Sequence, residues 1–385
     1  MIKNILIFQA YSINPIKGGV ARVYYNLTKG FIERGLNVFS LGVDDYTCDV
    51  YTGHFVLPDG ISTSKLNCKY VESICRNFHI DVIINGYPNV GWTSKLIKGL
   101  KYNVYIISHY HNSPFSLNSS MRFLDYKPLT NWNWTKSFAF IFQKYHHYKE
   151  NQLMMEVCDK MVLLSDSFKK EINNLIKFPE NKLIAIPNPI LPVNKDSILS
   201  DIQNKEKTLL YVGRVSEKQK RIHSLLNIWK LLYKRMPEWR LEIVGGGDEL
   251  QYWKIQAAKM GMERYSFEGF RTPNDYYKKA QILLMTSNYE GFGMVLVEAM
   301  QYGCVPFAFR SYGALTDIID DGVNGVVVMP FDEQEYAEKI LFLIQNPIKL
   351  KEMSKSAIEK AKEFEISNIV DKWMNLFNEV DQIKK

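Results

Sequence analysis

The segment from Ser287 to Met300 carries two carboxylates whose spacing suits the binding of a polyol. Glu290 and Glu298 stand eight positions apart, on either side of a glycine-bracketed turn. If a helix begins near Met294, Glu290 lies in its entry loop and Glu298 about one turn inside, so both can face one ligand. Carboxylates accept hydrogen bonds from hydroxyls, which favours a sugar or ribose over a phosphate. Stabilisation of the helix dipole by Glu298 is the structural alternative.

A basic loop in the same half of the chain is a candidate anion site. Gly213 and Arg214 directly follow an apolar run, and Lys218 and Lys220 come soon after. Guanidinium and ammonium groups at the carboxyl end of a strand can neutralise a diphosphate. Arg214 and Lys220 are the predicted ligands, with Lys218 competing for the second position and a solvated basic turn as the alternative.

The first half of the chain contains two weaker candidates. Gly18 and Gly19 lie between an apolar run and a helix-like stretch, where a glycine pair lets the backbone approach a ligand and the helix start offers free N–H groups. A plain tight turn would need the same residues. His111 follows another apolar run, with His109 two positions earlier, and is either a ligand contact or a structural imidazole.

The strands and helices that must position these residues appear in the sequence as short apolar runs that alternate with amphipathic stretches. This pattern predicts an α/β protein with parallel sheets covered by helices on both faces. The predicted strands are residues 5–8, 37–42, 81–85, 104–108 and 160–165, followed by a second series at 209–213, 241–245, 266–269, 282–285 and 305–308.

The restart of the strand series predicts a domain boundary near residue 190. A chain of 385 residues exceeds what one hydrophobic core usually organises. Pro187, Pro189 and Pro192 restrict the backbone there and favour a connector over a continuing helix. Two open α/β sheets that face each other would gather their strand-end loops, and the ligand chemistry, around one cleft.

Composition narrows the class of protein further. With 46% hydrophobic and 23% charged residues and no run of about 18 apolar residues, the chain is typical of a globular protein without a membrane span. The N-terminal apolar stretch is too short for a secretory signal. The five cysteines are odd in number and contain no CxxC pair, which favours a reducing cytosol over disulfides or a zinc site.

The net charge of +7 lies entirely in the first half. Residues 1–190 hold 21 Lys and Arg against 14 Asp and Glu, whereas residues 191–385 hold 27 of each. This asymmetry suggests an anionic partner or a phospholipid surface, or simply a solvated exterior. Nucleic acid is not expected, because no concentrated basic run or recognisable nucleic-acid module is present.

Taken together, these residues resemble family 4 of the retaining GT-B glycosyltransferases. Glu290 to Glu298 matches its E-x7-E signature, and the similarity runs nearly end to end. Further matching segments are Gly18–Gly19, His111–Pro114, Leu164–Phe168, Ile186–Pro189, Gly213–Arg214 with Lys220, and Ile243–Asp248. The resemblance implies the GT-B fold, with two Rossmann-like doubly wound domains facing across a cleft. The expected domains are an acceptor-binding domain (1–190), a nucleotide-sugar-binding domain (191–365) and a last helix (366–385) that returns to the first domain.

The same resemblance implies roles for individual residues. Glu290 would contact hydroxyls of the transferred sugar, Glu298 the ribose, and Arg214 with Lys220 the diphosphate. The loop after Arg214 is one residue longer than the commonest form in the family, which makes the place of Lys220 provisional. The resemblance implies that the catalytic residues are Glu290, Arg214, Lys220 and His111, the last of which would reach the donor sugar. The remaining substrate-binding residues implied are Gly18, Gly19, Gly291, Phe292, Gly293, Met294 and Val295, with Phe270 and Arg271 near the nucleotide base.

The implied reaction is transfer of a sugar from a nucleotide-sugar, UDP-sugars being favoured, to a hydroxyl acceptor with retention of configuration. No cofactor is implied, since the nucleotide-sugar is a co-substrate. No metal is expected either, because no Asp-x-Asp element follows a strand and the basic loop already offers to neutralise the diphosphate. Bacterial surface polysaccharide or glycolipid synthesis in the cytoplasm is the pathway that the resemblance suggests, with a sugar or lipid-linked acceptor.

Two other function classes stay open at this point. Another GT-B enzyme, such as a sugar-nucleotide epimerase or a phosphorylase, would share the two-domain plan. A non-catalytic or dinucleotide-binding protein is prompted by Gly245, Gly246 and Gly247, but the third glycine of that fingerprint and a suitably placed acidic partner are missing.

The segment 132–149 mixes aromatic and basic residues as an interfacial helix does. Docking on the inner leaflet of a membrane is one interpretation, and would agree with a lipid-linked acceptor. An internal helix with its aromatic residues packed on a sheet is the other.

Overall fold

The chain folds into two compact units, Met1–Leu191 with Ile366–Lys385 and Pro192–Glu365. The computed structural model describes residues 2–11, 13–15, 19–46, 48–88, 90–114, 145, 148–193 and 205–383. Gly18 and nearly all of the aromatic and basic segment 132–149 lie outside these described residues. Each unit is built around its own parallel sheet.

The first unit contains a seven-stranded parallel sheet in the order β3-β2-β1-β4-β5-β6-β7. Its central strands are buried on both faces, as expected where helices cover a parallel sheet. The strands are β1 (Asn4–Phe8), β2 (Asn37–Gly42), β3 (Gly53–Val56), β4 (Val82–Asn85), β5 (Tyr105–Tyr110), β6 (Lys160–Leu163) and β7 (Leu183–Ala185). Its labelled helices are α1 (Gly19–Glu33), α2 (Lys65–Asn77), α3 (Gly91–Lys98), α4 (Ser167–Leu175) and α13 (Ile366–Ile383).

The second unit contains a six-stranded parallel sheet in the order β10-β9-β8-β11-β12-β13. The strands are β8 (Glu206–Val212), β9 (Arg240–Val244), β10 (Tyr265–Gly269), β11 (Ala280–Met285), β12 (Val305–Phe309) and β13 (Val326–Val328). The helices are α5 (Glu217–Lys220), α6 (Ile222–Leu232), α7 (Leu250–Lys259), α8 (Asn274–Lys279), α9 (Met294–Gln301), α10 (Leu315–Ile318), α11 (Glu333–Ile344) and α12 (Pro347–Ala361).

Both sheets have a doubly wound strand order, which defines where loops converge. In each unit the first strand is flanked by the second and the fourth, so the direction of winding reverses between β1 and β4 and between β8 and β11. Ligands of open α/β sheets bind outside the carboxyl ends of strands at such a switch point. The loops after β8 and β11 are those that carry Arg214, Lys220 and Glu290.

The predicted α/β class and all ten predicted strands are confirmed. The prediction missed β3, β7 and β13, which are edge strands of three or four residues. Strand β5 extends through Tyr110, so His109 belongs to the strand and His111 is the first residue after it. Helix α9 begins at Met294, as expected.

Helix α13 packs against α1 inside the first unit. Its Trp373 and Phe377 rings contact the ring of Phe31, at centroid distances of 5.9 and 5.5 Å. Gly30 permits this close approach, because a Cβ there would lie 2.4 Å from Cγ2 of buried Val370. The missing side chain on α1 therefore sets how closely the two helices pack.

None of the described helices has the length and apolarity needed to cross a membrane.

Replacement Gly30→Leu should destabilise the first unit. Overpacking against a buried, stiff valine typically costs about 1–3 kcal/mol, and the free energy of unfolding in urea would measure the loss. Glu33→Leu is the matched control, because Glu33 is exposed on the same helix and surface changes usually stay within about 0.5 kcal/mol. Equal unfolding free energies for the two variants would contradict this packing.

Candidate active site

A lysine and a glutamate form a nearly buried ion pair at the switch point of the second unit. Nζ of Lys220 lies 2.5 Å from Oε1 of Glu290, and their side chains are only 12% and 9% exposed. Ser287 donates a second hydrogen bond to the same carboxylate oxygen, also at 2.5 Å. A buried charge needs a partner, and each of these groups supplies the other with one.

Hydrogen bonds between the two loops fix Lys220 in this position. The amide of Asn288 donates to the carbonyl of Gln219 at 2.7 Å, and its side chain donates to the carbonyl of Lys218 at 2.8 Å. The hydroxyl of Thr286 donates to the carbonyl of Lys220, also at 2.8 Å. The carbonyl end of the short helix α5 is thus held by the loop that carries Glu290.

Of the two competing lysines, the structure brings Lys220 to the glutamate. Lys218 lies two residues earlier on α5 and is exposed. The geometry therefore favours Lys220 as the cation of this site, despite the longer loop before it.

Arg214 belongs to the same neighbourhood. Burial and the charge of Glu290 raise the pKa of Tyr289, while the charge of Arg214 works to lower it. Tyr211 fixes the arginine backbone by donating from its hydroxyl to the Arg214 carbonyl at 2.8 Å. Arg214 is an exposed residue, so an anion from solvent can reach it beside the buried pair.

Glycines let the loop after β9 lie against the loop after β8. A Cβ at Gly245 would lie 1.8 Å from the carbonyl oxygen of Gly213, and one at Gly247 would lie 2.6 Å from that of Val215. The amide of Val215 donates to the carbonyl of Gly246 at 2.8 Å. Packing of these loops accounts for the glycine run that resembles part of a dinucleotide fingerprint.

The turn from Gly291 to Val295 brings backbone amides to the same edge of the sheet. Gly293 directly precedes α9 and has a φ of 94°. A Cβ on Gly293 would lie 2.3 Å from the hydroxyl oxygen of Tyr312. The Phe292 side chain is buried against Phe364, so only its backbone can face a ligand. Met294 and Val295 form the first turn of α9, whose N–H groups have no partner within the helix.

Glu298 lies one turn inside α9, as predicted, and is oriented by the neighbouring helix. Tyr277 of α8 donates from its hydroxyl to Oε2 of Glu298 at 3.1 Å. Glu298 also helps to raise the pKa of Tyr302, after burial and Asp275. Glu298 thus lies against α8, whereas Glu290 faces Lys220.

Phe270 and Arg271 follow β10 at the sheet edge. Phe270 is 81% exposed, and its Cβ would be 3.7 Å from a Cβ on Gly246. Arg271 is exposed beside it. An exposed aromatic side chain next to the glycine loop offers a flat surface on which a ring could stack.

In the first unit, Gly19 is the first residue of α1, and a Cβ there would meet no atom within 4 Å. His111 is half-buried after β5, and its Nε2 lies 3.1 Å from the hydroxyl oxygen of Tyr24. That oxygen also lies 3.1 Å from Nδ1 of His109, which is 1% exposed. The two candidates of this unit are therefore an open helix start and a tightly bonded imidazole.

Both imidazoles are held neutral by their surroundings. Burial lowers the pKa of His111 to about 3, against a smaller raising effect of a hydrogen bond with Asn188. Burial and the neighbouring His111 lower the pKa of His109 well below its usual value. At neutral pH neither ring carries a charge.

Sequence reasoning missed three residues that shape the carboxylate site. Ser287 has a signal in hindsight, because a serine three positions before a glutamate is a familiar hydrogen-bonding spacing. Tyr211 and Tyr312 have none, since they reach Glu290 through the tertiary fold. Burial first, and then the charge of Glu290, raise the pKa of both phenols well above its usual value.

In the part of the chain that the structure describes, no group of three or more His, Cys, Asp or Glu side chains is arranged to hold a metal ion.

The fold and the site together define a GT-B glycosyltransferase: two doubly wound parallel-sheet units, one of which gathers basic, acidic and glycine-rich loops at its switch point. Two family models match the chain, Glycosyltransferase Family 4 over residues 17–192 and Glycosyl transferases group 1 over residues 194–363.

Individual proteins show the same relationship. A glycosyltransferase of Haemophilus influenzae is 31% identical over 229 residues, which are 58% of this chain and 62% of that protein. A Campylobacter jejuni α-1,4-N-acetyl-D-galactosaminyltransferase, named for a diphospho-undecaprenol-linked substrate, is 25% identical over 58% of this chain and 61% of its own length. These matches span less than two thirds of either relative.

The crystal structure of Anabaena HepE in complex with UDP and glucose has the same fold. It superimposes with a TM-score of 0.74 at 17% identity, covering 98% of this chain and all of the HepE chain. The two family models, over residues 17–192 and 194–363, place the chain among the family 4 glycosyltransferases.

The two neutral imidazoles predict a pH dependence of stability. A histidine whose pKa is lowered in the folded state takes up a proton on unfolding below about pH 6.5. The free energy of unfolding therefore decreases as the pH is lowered, by up to about 1.4 kcal/mol per pH unit for each ring. Urea unfolding of the wild type and of His111→Asn between pH 6.5 and 5 would measure this. The wild type should lose about 1–2 kcal/mol more than the variant over that interval. Parallel losses would show that His111 accepts a proton in the folded protein.

Proposed function

We propose that the protein transfers a sugar from a nucleotide-sugar to a hydroxyl acceptor with retention of configuration. In this proposal the second unit binds the donor and the first unit binds the acceptor. The observation that carries it is the nearly buried pair of Lys220 and Glu290 beside Arg214, because a cation and a carboxylate meet there at the ligand-binding edge of the sheet.

A nucleotide-sugar offers each member of the pair a replacement partner. The donor diphosphate would take Lys220 and Arg214, whose charges stabilise the leaving group. Hydroxyls of the sugar would donate to the carboxylate of Glu290. The ion pair thus holds both groups, desolvated and oriented, for one ligand that is anionic at one end and hydroxylated at the other.

The remaining candidate residues complete the donor site in this proposal. Glu298 would accept hydrogen bonds from the ribose, and Phe270 with Arg271 would flank the base. The turn formed by Gly291, Phe292, Gly293, Met294 and Val295 would present its amides to phosphate and sugar. Gly18, Gly19 and His111 of the first unit would contribute to binding of the transferred sugar.

Retention would follow from attack on the face that the nucleotide leaves. The bond between the anomeric carbon and the phosphate oxygen breaks, and a bond to the acceptor oxygen forms. The proton of the acceptor hydroxyl passes to a phosphate oxygen of the departing nucleoside diphosphate. Arg214 and Lys220 neutralise the negative charge that develops on that group.

UDP is the favoured nucleotide, and a surface polysaccharide or glycolipid the favoured product. The HepE crystal structure holds UDP and glucose, and the Campylobacter relative is named for a lipid-linked substrate. The basic first half of the chain suits a cytoplasmic enzyme that meets anionic lipid at the inner leaflet.

Replacement of the paired groups should remove most turnover. In a panel of nucleotide-sugars, release of UDP would be measured for the wild type and for Lys220→Met, Arg214→Ala and Glu290→Ala. Loss of one stabilising group commonly costs on the order of 100-fold in rate. Lys218→Met is the matched control, since it removes an exposed ammonium from the same helix, and should stay near the wild-type rate. Near-normal release by the Lys220 or Glu290 variant, with folding intact by circular dichroism, would defeat the site assignment.

Activity should not depend on a divalent metal, because the two cationic side chains take its place at the diphosphate. EDTA added to the UDP-release assay should leave the rate unchanged. A strict requirement for magnesium or manganese would overturn this part of the proposal.

A further inference from the structure

The switch point of the first unit carries an aromatic pair that the proposed donor site does not use. The winding of this sheet reverses between β1 and β4, so the loops after these two strands emerge side by side. Tyr11 lies in the first loop and Tyr87 in the second. Their ring centroids are 4.9 Å apart and their planes cross at 84°, which is an edge-to-face contact. Two residues far apart in the sequence thus form one aromatic surface at the edge where open α/β sheets bind ligands.

The loop after β4 holds Tyr87 in place. The side chain of Asn85 accepts a hydrogen bond from the Tyr87 amide at 3.2 Å. The Tyr87 carbonyl accepts one from the hydroxyl of Thr93 and one from the amide of Val90, both at 3.0 Å. Tyr87 is half-buried, whereas Tyr11 is 51% exposed. Tyr87 therefore backs a side chain that a ligand can reach from solvent.

The surroundings of the pair favour an uncharged ligand. The segments 9–16 and 86–94 contain no Asp, Glu, Lys or Arg. Glu150 packs against the second segment, since a Cβ on Gly91 would lie 2.5 Å from its Oε1, and a carboxylate there repels an anion. Neither segment offers a cationic side chain to a phosphate, in contrast to the basic loop of the second unit.

Tyrosine suits a ligand that is itself partly apolar and partly polar. Its ring has a flat apolar face, and its hydroxyl can donate and accept hydrogen bonds. Burial first, and then Tyr11, raise the pKa of Tyr87 to about 12, so the Tyr87 phenol keeps its proton at neutral pH. A pyranose ring is divided in the same way, with C–H groups on its faces and hydroxyl groups around its rim. A neutral sugar therefore matches this surface better than a polyol phosphate does.

We propose that Tyr11, backed by Tyr87, is a binding platform on which a neutral sugar ring of the acceptor stacks. This inference rests on the proposed function, which assigns the acceptor to the first unit. It narrows the acceptor to a saccharide whose terminal ring is uncharged. A charged group of the acceptor, such as a linking phosphate, would then bind away from these two tyrosines.

Binding of simple glycosides tests the platform without any donor. Saturation-transfer NMR would be recorded with the methyl glycosides of glucose, galactose and N-acetylglucosamine, and with glycerol 1-phosphate as the charged comparison. At least one methyl glycoside should receive saturation from the protein, most strongly at the C–H groups of one ring face. Transfer to glycerol 1-phosphate alone, or to none of these probes, would overturn the proposal.

Substitutions of Tyr11 assign that signal to the platform. Tyr11→Leu keeps an apolar side chain and removes the ring, so the affinity for the bound glycoside should fall roughly two- to tenfold. Tyr11→Phe keeps the ring and should stay near the wild type. Tyr252→Leu is the matched control, since Tyr252 is 55% exposed on α7 of the second unit. Equal affinities of the wild type and Tyr11→Leu would show that the glycoside binds elsewhere.

Transfer kinetics test the role of the platform in the proposed reaction. With the nucleotide-sugar at saturation, KM for the bound methyl glycoside should rise roughly two- to tenfold in Tyr11→Leu, while kcat stays near the wild-type value. Hydrolysis of the nucleotide-sugar without an acceptor should not change, because the platform binds no part of the donor. An equal fall in hydrolysis would mean that Tyr11 acts on the donor, and the assignment to the acceptor would be wrong.

The platform and the proposed function can fail separately. Glycoside binding that depends on Tyr11, with no nucleotide released from any nucleotide-sugar, would end the proposed function and leave a sugar-binding platform. Normal transfer to a saccharide, with the same binding and the same KM in Tyr11→Leu, would end the platform and leave the proposed function.

Discussion

The second unit is organised around one electrostatic constraint, the need of two buried opposite charges for each other. Taking a carboxylate or an ammonium out of water costs several kcal/mol, so each is tolerated only with a close partner and further hydrogen bonds. Glu290 has Lys220 and Ser287, and Lys220 is held by a backbone that the Glu290 loop itself fixes. Such a pair is expensive to build for stability alone, which is why it is informative about function.

The strand order explains how residues 70 positions apart meet. Strands β8 and β11 are neighbours in the sheet although β9 and β10 lie between them in the sequence, so the loops after β8 and β11 emerge side by side at the switch point. The glycines after β9 then allow a third loop to lie against the first. In the first unit, β5 pairs with β4 in the sheet. His111 follows β5, and Gly86, which follows β4, makes room for the Tyr24 side chain.

Much of this could be predicted from the sequence. The inner strands are continuous apolar runs because both faces are buried, and Glu290 and Lys220 stand out as charged residues in the segments that follow such runs. The missed strands β3, β7 and β13 are short edge strands, which pair on one side only and need no long apolar run. Tyr24 and Tyr312 could not be found, since each contacts residues that are far away in the sequence. Tyr24 packs against Gly86 and Tyr312 against Gly293, and the absence of a side chain at these glycines has a meaning only in three dimensions.

The central claim is that the ion pair of Lys220 and Glu290 is opened by the donor. A crystal structure of the protein with an intact nucleotide-sugar tests it most directly, through the distance between Nζ of Lys220 and Oε1 of Glu290. We expect this distance to exceed 2.5 Å, with a phosphate oxygen hydrogen-bonded to Lys220 and a sugar hydroxyl hydrogen-bonded to Glu290. An unbroken pair, with the nucleotide-sugar bound elsewhere on the protein, would contradict the account.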